Sequence, residues 1–270
     1  MKGILLAGGT GSRLGPLTVA TSKQLLPVYD QPLVHYPLSV LMLAGVGEVL
    51  LIGAPDQLPR FRALLGDGSH LGIRLEYAVQ EEPRGIADAL IVGADFVADE
   101  PVCLILGDNI FHSRDLAEVL RREAALLDGC VLFGHRVADP ERFGVAVVDE
   151  EGVLVGIREK PADPPSDIAV TGLYMYSPEA VSYARRLRPS DRGELEITDV
   201  NRRFAAEGRA RLAELGQDAR WLDAGTPDAL LDAGLLARSV FEREGVRIGD
   251  PAALARRLGL IGTSAAGGSR

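Results

Sequence analysis

Cysteine is scarce in this chain: of 270 residues only Cys103 and Cys130 carry a thiol, each inside an apolar run. Buried free thiols are therefore expected, rather than a disulfide framework or a thiolate metal site. Runs of Lys and Arg are missing altogether, and 29 basic against 38 acidic residues leave a formal charge of −9. That balance repels a phosphate backbone, so nucleic acid is not an expected partner. No apolar stretch approaches the ~20 residues that a membrane span requires. Met1-Lys2 leads directly into an apolar run without the features of a signal peptide, which points to the cytoplasm. Four histidines occur, with no spacing that suggests a Ser-His-Asp set, and there is no internal repeat and no obvious linker.

What remains is an ordinary globular composition, 47% hydrophobic and 25% charged. In the first half, short apolar runs at 3–7, 48–53, 74–79 and 102–106 alternate with helical patterns at 34–44, 58–65 and 86–92. Such alternation predicts a Rossmann-like, three-layer α/β/α fold with a mixed, mostly parallel central sheet. Ligands of these sheets lie at the carboxyl ends of strands, here the loops after Ala7, Val79 and Leu106. The second half predicts strands at 130–136, 145–148, 154–158 and 170–176, with a hairpin turn from Asp149 to Gly152. Helices are expected after Ser177-Pro178, with Ser177 as cap, over 197–207, and over 227–243 behind a Thr226 cap. The expected organisation is a unit at 1–245, a short helical appendage at 246–261 and a disordered tail at 262–270.

The chemistry starts in the turn after the first strand, Leu6-Ala7-Gly8-Gly9-Thr10-Gly11-Ser12-Arg13. Its glycines let backbone N–H groups approach a polyphosphate closely. Arg13 adds a guanidinium fork suited to phosphate, and Lys23 brings a second cation to the same mouth. The segment lacks the Gly-Lys-Ser/Thr ending of a P-loop, and Arg13 stands near where a dinucleotide fingerprint needs its last glycine. The second strand runs into Gly53-Ala54-Pro55, without the acidic residue of a dehydrogenase.

Residues 3–37, with Arg13, Pro16, Lys23 and Pro27, resemble the signature of the nucleotidyltransferases that activate sugar 1-phosphates, and among them the glucose-1-phosphate thymidylyltransferases. Matching segments follow in order: Leu106-Gly107-Asp108-Asn109, Glu159-Lys160-Pro161, Val170-Thr171-Gly172, the stretch 193–201 and Trp221-Leu222-Asp223. The resemblance implies a GT-A-like nucleotidyltransferase fold and in-line attack of a sugar phosphate on the α-phosphorus of dTTP, expelling pyrophosphate. It implies Mg²⁺ on Asp108 and Asp223, and catalytic cations at Arg13, Lys23 and Lys160. It also implies nucleotide contacts from Leu6, Gly8, Gly9, Thr10, Gly11, Ser12, Arg13, Gln24, Gln80, Pro83, Gly85 and Asp108. For the sugar phosphate it implies Gly144, Glu159, Lys160, Val170, Thr171, Tyr174 and Glu194. A glutamine amide offers donor and acceptor together, which complements a thymine or uracil imide. A phosphate nucleophile needs no general base, only charge neutralisation and alignment.

Two departures matter. Phe143 stands where the family carries tyrosine, removing a hydroxyl near the sugar and leaving room for a deoxy or modified sugar. The family also continues past the segment resembling 251–261 with helices that help build a subunit interface and a regulatory pocket; a homo-oligomer, dimer or tetramer, is still expected, but with weakened or absent end-product control. Competing readings are a uridylyltransferase, an enzyme for another sugar or cyclitol phosphate, and a nucleotide-sugar-binding regulatory subunit. Retention of Arg13, Lys23, Asp108 and Asp223 argues against the last.

Overall fold

The computed structural model describes residues 1–9 and 11–262, so Thr10 and the expected tail from 263 onward lie outside the described residues. The apolar run at the start forms β1 (Lys2–Ala7), buried at all but its first position. Its side chains alternate between two cores: Leu5 and Ala7 on one face of the sheet, Ile4 and Leu6 on the other. A central strand covered on both faces has to be apolar throughout, which is why the segment reads as a continuous run.

After β2 (Pro27–Val28) and β3 (Gln31–Pro32), a small separate ribbon, come α1 (His35–Leu43), β4 (Glu48–Gly53), α2 (Leu58–Leu65) and β5 (Arg74–Val79). The chain continues through α3 (Asp88–Val92), α4 (Ala94–Val97), β6 (Val102–Leu106), β7 (Asn109–His112) and α5 (Leu116–Ala125). The second half supplies β8 (Cys130–Arg136), β9 (Gly144–Val148), β10 (Leu154–Glu159) and β11 (Ile168–Tyr176). It closes with α6 (Glu179–Ala184), α7 (Ile197–Ala206), β12 (Ala210–Glu214), β13 (Arg220–Asp223), α8 (Pro227–Glu244) and α9 (Pro251–Arg257).

Nine strands form one sheet in the order β10-β9-β11-β6-β1-β4-β5, with β8 on β11 and β12 on β8. β6, β1, β4 and β5 are mutually parallel, as expected from the βαβ alternation. β11 runs antiparallel to β6, β8 and β9, which makes the sheet mixed. One core holds Leu38 and Leu41 of α1, Phe61 of α2, Leu120 of α5 and Leu254 of α9. The opposite core holds Leu90 of α3, Ala180 of α6 and Phe204 of α7, completing three layers. Through Leu254 and Ala255, α9 belongs to the first of these cores. Cys103 and Cys130 are buried free thiols.

Local signals fare unevenly. Thr226 caps α8, its hydroxyl accepting Ala229 N–H at 3.3 Å. Asp149 organises the β9–β10 turn by accepting the N–H groups of Glu151 and Val153. Ser177 does not cap the next helix: α6 begins at Glu179, and Pro178 occupies the cap position. Pro178 already has helical φ and ψ, and at a helix start its missing N–H costs nothing. No helix among the described residues is long and apolar enough to cross a membrane.

Candidate active site

The turn after β1 and the turn after β6 lie side by side at the carboxyl edge of the sheet. Gly107 N–H donates to Leu6 O at 2.9 Å, and a Cβ on Gly107 would lie 2.9 Å from both that oxygen and Gln24 Cγ. Only a glycine permits that approach. Gln24 sits buried beneath the turn, donating to Gly8 O at 3.2 Å while accepting the Ser22 hydroxyl. Gly8, Gly9, Gln80 and Pro83 line a cleft of about 370 Å³ on this side. Leu6 packs into the core below, and Gly11, the left-handed cap of the short turn at Ser12–Leu14, anchors the loop by accepting the Thr18 hydroxyl at 2.9 Å. Gly85 takes φ +102°, and a Cβ there would lie 2.5 Å from Leu195 O, so this glycine clamps the loop after β5 to the segment carrying Glu194.

Asp108 and Asp223 are brought together by strand pairing. β7 and β13 form an antiparallel ribbon in which Asp223 lies opposite Asn109, and Ala224 N–H donates to Asp108 O at 2.9 Å. Lys23 Nζ contacts Asp108 Oδ2, and Arg13 Nη2 lies 3.9 Å from Asp223 Oδ2. Burial opposes ionisation of Asp108, yet the Lys23 ammonium and N–H donors, Asn109 among them, hold its carboxyl below the usual range. Asp223 goes the other way. Burial and then the negative charge of Asp108 push it up to about 6, against the pull of Lys23, Arg13 and Arg142. Two oxygen-only carboxylates that resist joint ionisation are suited to sharing a hard divalent cation with phosphate oxygens.

Beyond this pair opens a second cleft of about 500 Å³, lined by Gly144, Glu159, Lys160, Val170, Thr171, Tyr174 and Glu194, all expected from sequence. Glu159 ends β10 and accepts the Thr198 hydroxyl from the start of α7. Lys160 follows with φ 40°, an unusual value for a residue with a side chain, held by its N–H donating to Phe143 O at 2.9 Å. Backbone strain of this kind, on the order of 1–3 kcal/mol, persists where surrounding structure fixes a functional side chain. Thr171 turns its hydroxyl away to Phe133 O at 2.8 Å, so it offers the cleft backbone and methyl.

Sequence reading passed over several residues here. Arg192 reaches into the same cleft, 3.6 Å from Glu159, 3.6 Å from Glu194 and 2.8 Å from Glu196. Its signal was a lone arginine before Gly193, intelligible only once β10 and α7 are neighbours. Arg142 and Trp221 also line the wall, where Phe143 packs edge-on against Trp221 at 5.0 Å between ring centres. Asn109 joins three strands. Its Oδ1 accepts Trp221 Nε1–H at 2.6 Å and Gly172 N–H at 3.0 Å, and its amide donates to Asp108 Oδ1 at 3.0 Å.

Comparison with known proteins identifies the family. A model of the family described as nucleotidyl transferase matches residues 2–239. A relative from Xanthomonas campestris pv. campestris, strain B100, named glucose-1-phosphate thymidylyltransferase, is 49% identical over 96% of this chain and 88% of its own length. One from Mycolicibacterium smegmatis with the same name is 47% identical over 97% and 90%. Among solved structures, a Bacillus anthracis chain assigned as a glucose-1-phosphate thymidylyltransferase, in complex with sucrose, superposes with TM-score 0.82 at 40% identity, covering 88% of this chain and 95% of that one. A UDP-glucose pyrophosphorylase bound to UDP-glucose shares the fold at TM-score 0.78 and 24% identity, covering 88% and 98%. The chain belongs to the nucleotidyl transferase family, among the glucose-1-phosphate thymidylyltransferases.

Proposed function

We propose that this enzyme transfers the thymidylyl group of dTTP to α-D-glucose 1-phosphate, giving dTDP-glucose and pyrophosphate. The observation that carries the reading is the β7–β13 ribbon, which sets Asp108 and Asp223 beside the Gly-rich turn and at the wall of the sugar-side cleft. A sugar phosphate oxygen forms a bond to the α-phosphorus while the α–β bridging P–O bond breaks, and pyrophosphate leaves. The attacking oxygen is already deprotonated, so the protein's task is alignment and neutralisation.

Arg13 and Lys23 hold the triphosphate against the backbone N–H groups of the turn, where Thr10, outside the described residues, also belongs. Gln80 meets the base edge, with Pro83 and Gly85 shaping that side. Lys160 and Arg192 take the sugar phosphate, and Glu159 and Glu194 accept sugar hydroxyls. The pair Asp108 and Asp223 would hold Mg²⁺, which when bound supplies positive charge to the phosphate oxygens. We read the enzyme as a cytoplasmic homo-oligomer. Leu231 and Leu235, 64% and 53% exposed on the outer side of α8 near Tyr29, offer an apolar strip that a second copy would cover. Sedimentation velocity of the purified protein tests that part.

Pyrophosphate release measured with dTTP, UTP, CTP, ATP and GTP against several sugar 1-phosphates tests the reaction. Turnover fastest with dTTP and glucose 1-phosphate is expected. No turnover with any pair in the presence of Mg²⁺ would overturn the reading.

A further inference from the structure

At the first turn of α3, Asp88 is 3% exposed, a buried carboxylate that none of the roles assigned above uses. Its Oδ2 accepts an N–H from Gln80 Nε2 at 2.9 Å, and Arg84 Nη1 stands 3.7 Å from its Oδ1 as counter-charge. A carboxylate can only accept, so the Gln80 amide has one permitted flip: turning its oxygen to Asp88 would set acceptor against acceptor. Gln80 Oε1 is left on the far side, over Gly8, where a Cβ on that glycine would come within 2.6 Å of it. Among the described residues no donor satisfies this oxygen, and it belongs to the base-side cleft.

We propose that Asp88 is a positioning residue for the choice of nucleobase: by locking the Gln80 amide in one flip, it makes the site take the imide edge of thymine or uracil and reject cytosine. The inference rests on the reading that Gln80 faces the pyrimidine. The imide edge offers an N3–H donor beside a carbonyl acceptor, which a fixed amide meets with its oxygen and its second N–H. Cytosine reverses the pair, with N3 accepting and the N4 amino group donating. A freely flipping glutamine serves both bases equally well, whereas a locked one leaves cytosine with two mismatched contacts. Sites that strand buried polar groups in this way reject the wrong ligand by about ten- to a hundredfold or more.

The test compares wild type with Asp88→Asn, whose amide can present either a donor or an acceptor and so frees Gln80 to turn. Steady-state pyrophosphate release is measured with dTTP and with CTP against glucose 1-phosphate. The expected result is a fall of about tenfold or more in the dTTP-to-CTP ratio of kcat/KM, with CTP improving outright. KM for glucose 1-phosphate should stay within about twofold, a split that general loosening of the fold would not give. A ratio unchanged within about twofold overturns the role of Asp88 while leaving the reaction intact. Wild type that fails to use dTTP overturns the reading of the reaction instead, and this inference with it. If the variant does not fold, proton exchange at the Gln80 side chain in the unaltered protein decides. One amide proton should be protected well beyond those of exposed glutamines, and exchange at the exposed rate overturns the lock.

Discussion

Trp221 donates its indole N–H to Asn109 Oδ1 at 2.6 Å, tying the strand that ends in Asp223 to the residue that follows Asp108. Through the same side chain Asn109 takes Gly172 N–H and donates to the Asp108 carboxylate. A Cβ on Gly172 would sit 2.7 Å from Asn109 Oδ1, so glycine is required for the amide to fit. Asn109→Ala should therefore strand two buried donors and free the Asp108 carboxylate to rotate. We expect a loss of about 2–4 kcal/mol in chemical denaturation and a fall in kcat on the order of a hundredfold. Near-normal turnover in a stably folded variant would show that the node plays no part in holding Asp108.

Asp223→Asn separates stability from activity. The folded carboxyl titrates at about 6, above the unfolded value of about 4. A group raised in this way stabilises fully below about pH 4, and that contribution disappears as pH rises through 6. Wild type without metal thus carries an unfavourable buried charge at neutral pH that the amide lacks. With EDTA present, the variant should gain stability relative to wild type between pH 4 and pH 7.5, by about 1–2 kcal/mol given that Asp223 shares its charge environment with Asp108. Turnover should drop by about a hundredfold or more. Melting curves that keep the same separation across that range would refute the account of the pair.

Lys23→Met has the opposite sign. Lys23 is the counter-charge that keeps the buried Asp108 carboxyl depressed, so its loss leaves a buried anion unpaired. Destabilisation of about 3–5 kcal/mol is expected at neutral pH, with weaker dTTP binding. A depressed carboxyl stabilises above its unfolded value and loses that benefit as pH falls through the folded one. The gap between wild type and variant should accordingly shrink below about pH 4. Denaturation at two pH values checks it, and a gap that widens in acid would contradict it.

Gly225→Ala acts chiefly on Arg13, with a lighter contact to Asp223. The added Cβ would meet Arg13 Nη2 at 2.6 Å and Asp223 Oδ1 at 3.0 Å, both ends of side chains that can move. Little stability should be lost, while a displaced guanidinium should cost about tenfold in kcat/KM for dTTP. A thermal shift matched by unaltered dTTP kinetics would mean that Arg13 does not hold the triphosphate.

Much of this layout is legible in the bare chain because burial on both faces forces β1 and β4 to be apolar beyond their first residue, and β6 along its whole length. The Gly-rich turn announces itself for a related reason: its backbone conformations exclude most other residues. The short strands β7 and β13 escape notice, being four residues each, with partners more than a hundred positions apart. Their pairing is decided by tertiary contacts and not by any local period. The roles of Arg192 and Asn109 are hidden for the same reason, since each acquires meaning only from carboxylates and strands contributed by distant segments. Ser177 shows the converse, a strong local cap signal whose hydroxyl makes no hydrogen bond to the helix it precedes.

The position of β13 in the chain has a consequence for biosynthesis. The nine strands of the main sheet are all in place by Glu214, whereas Asp223 arrives at the end of the next strand. A chain emerging from the ribosome can thus assemble its entire sheet while still missing half of the carboxylate pair. Chemical competence therefore waits on the late pairing of β13 with β7, after every strand of the main sheet has been made.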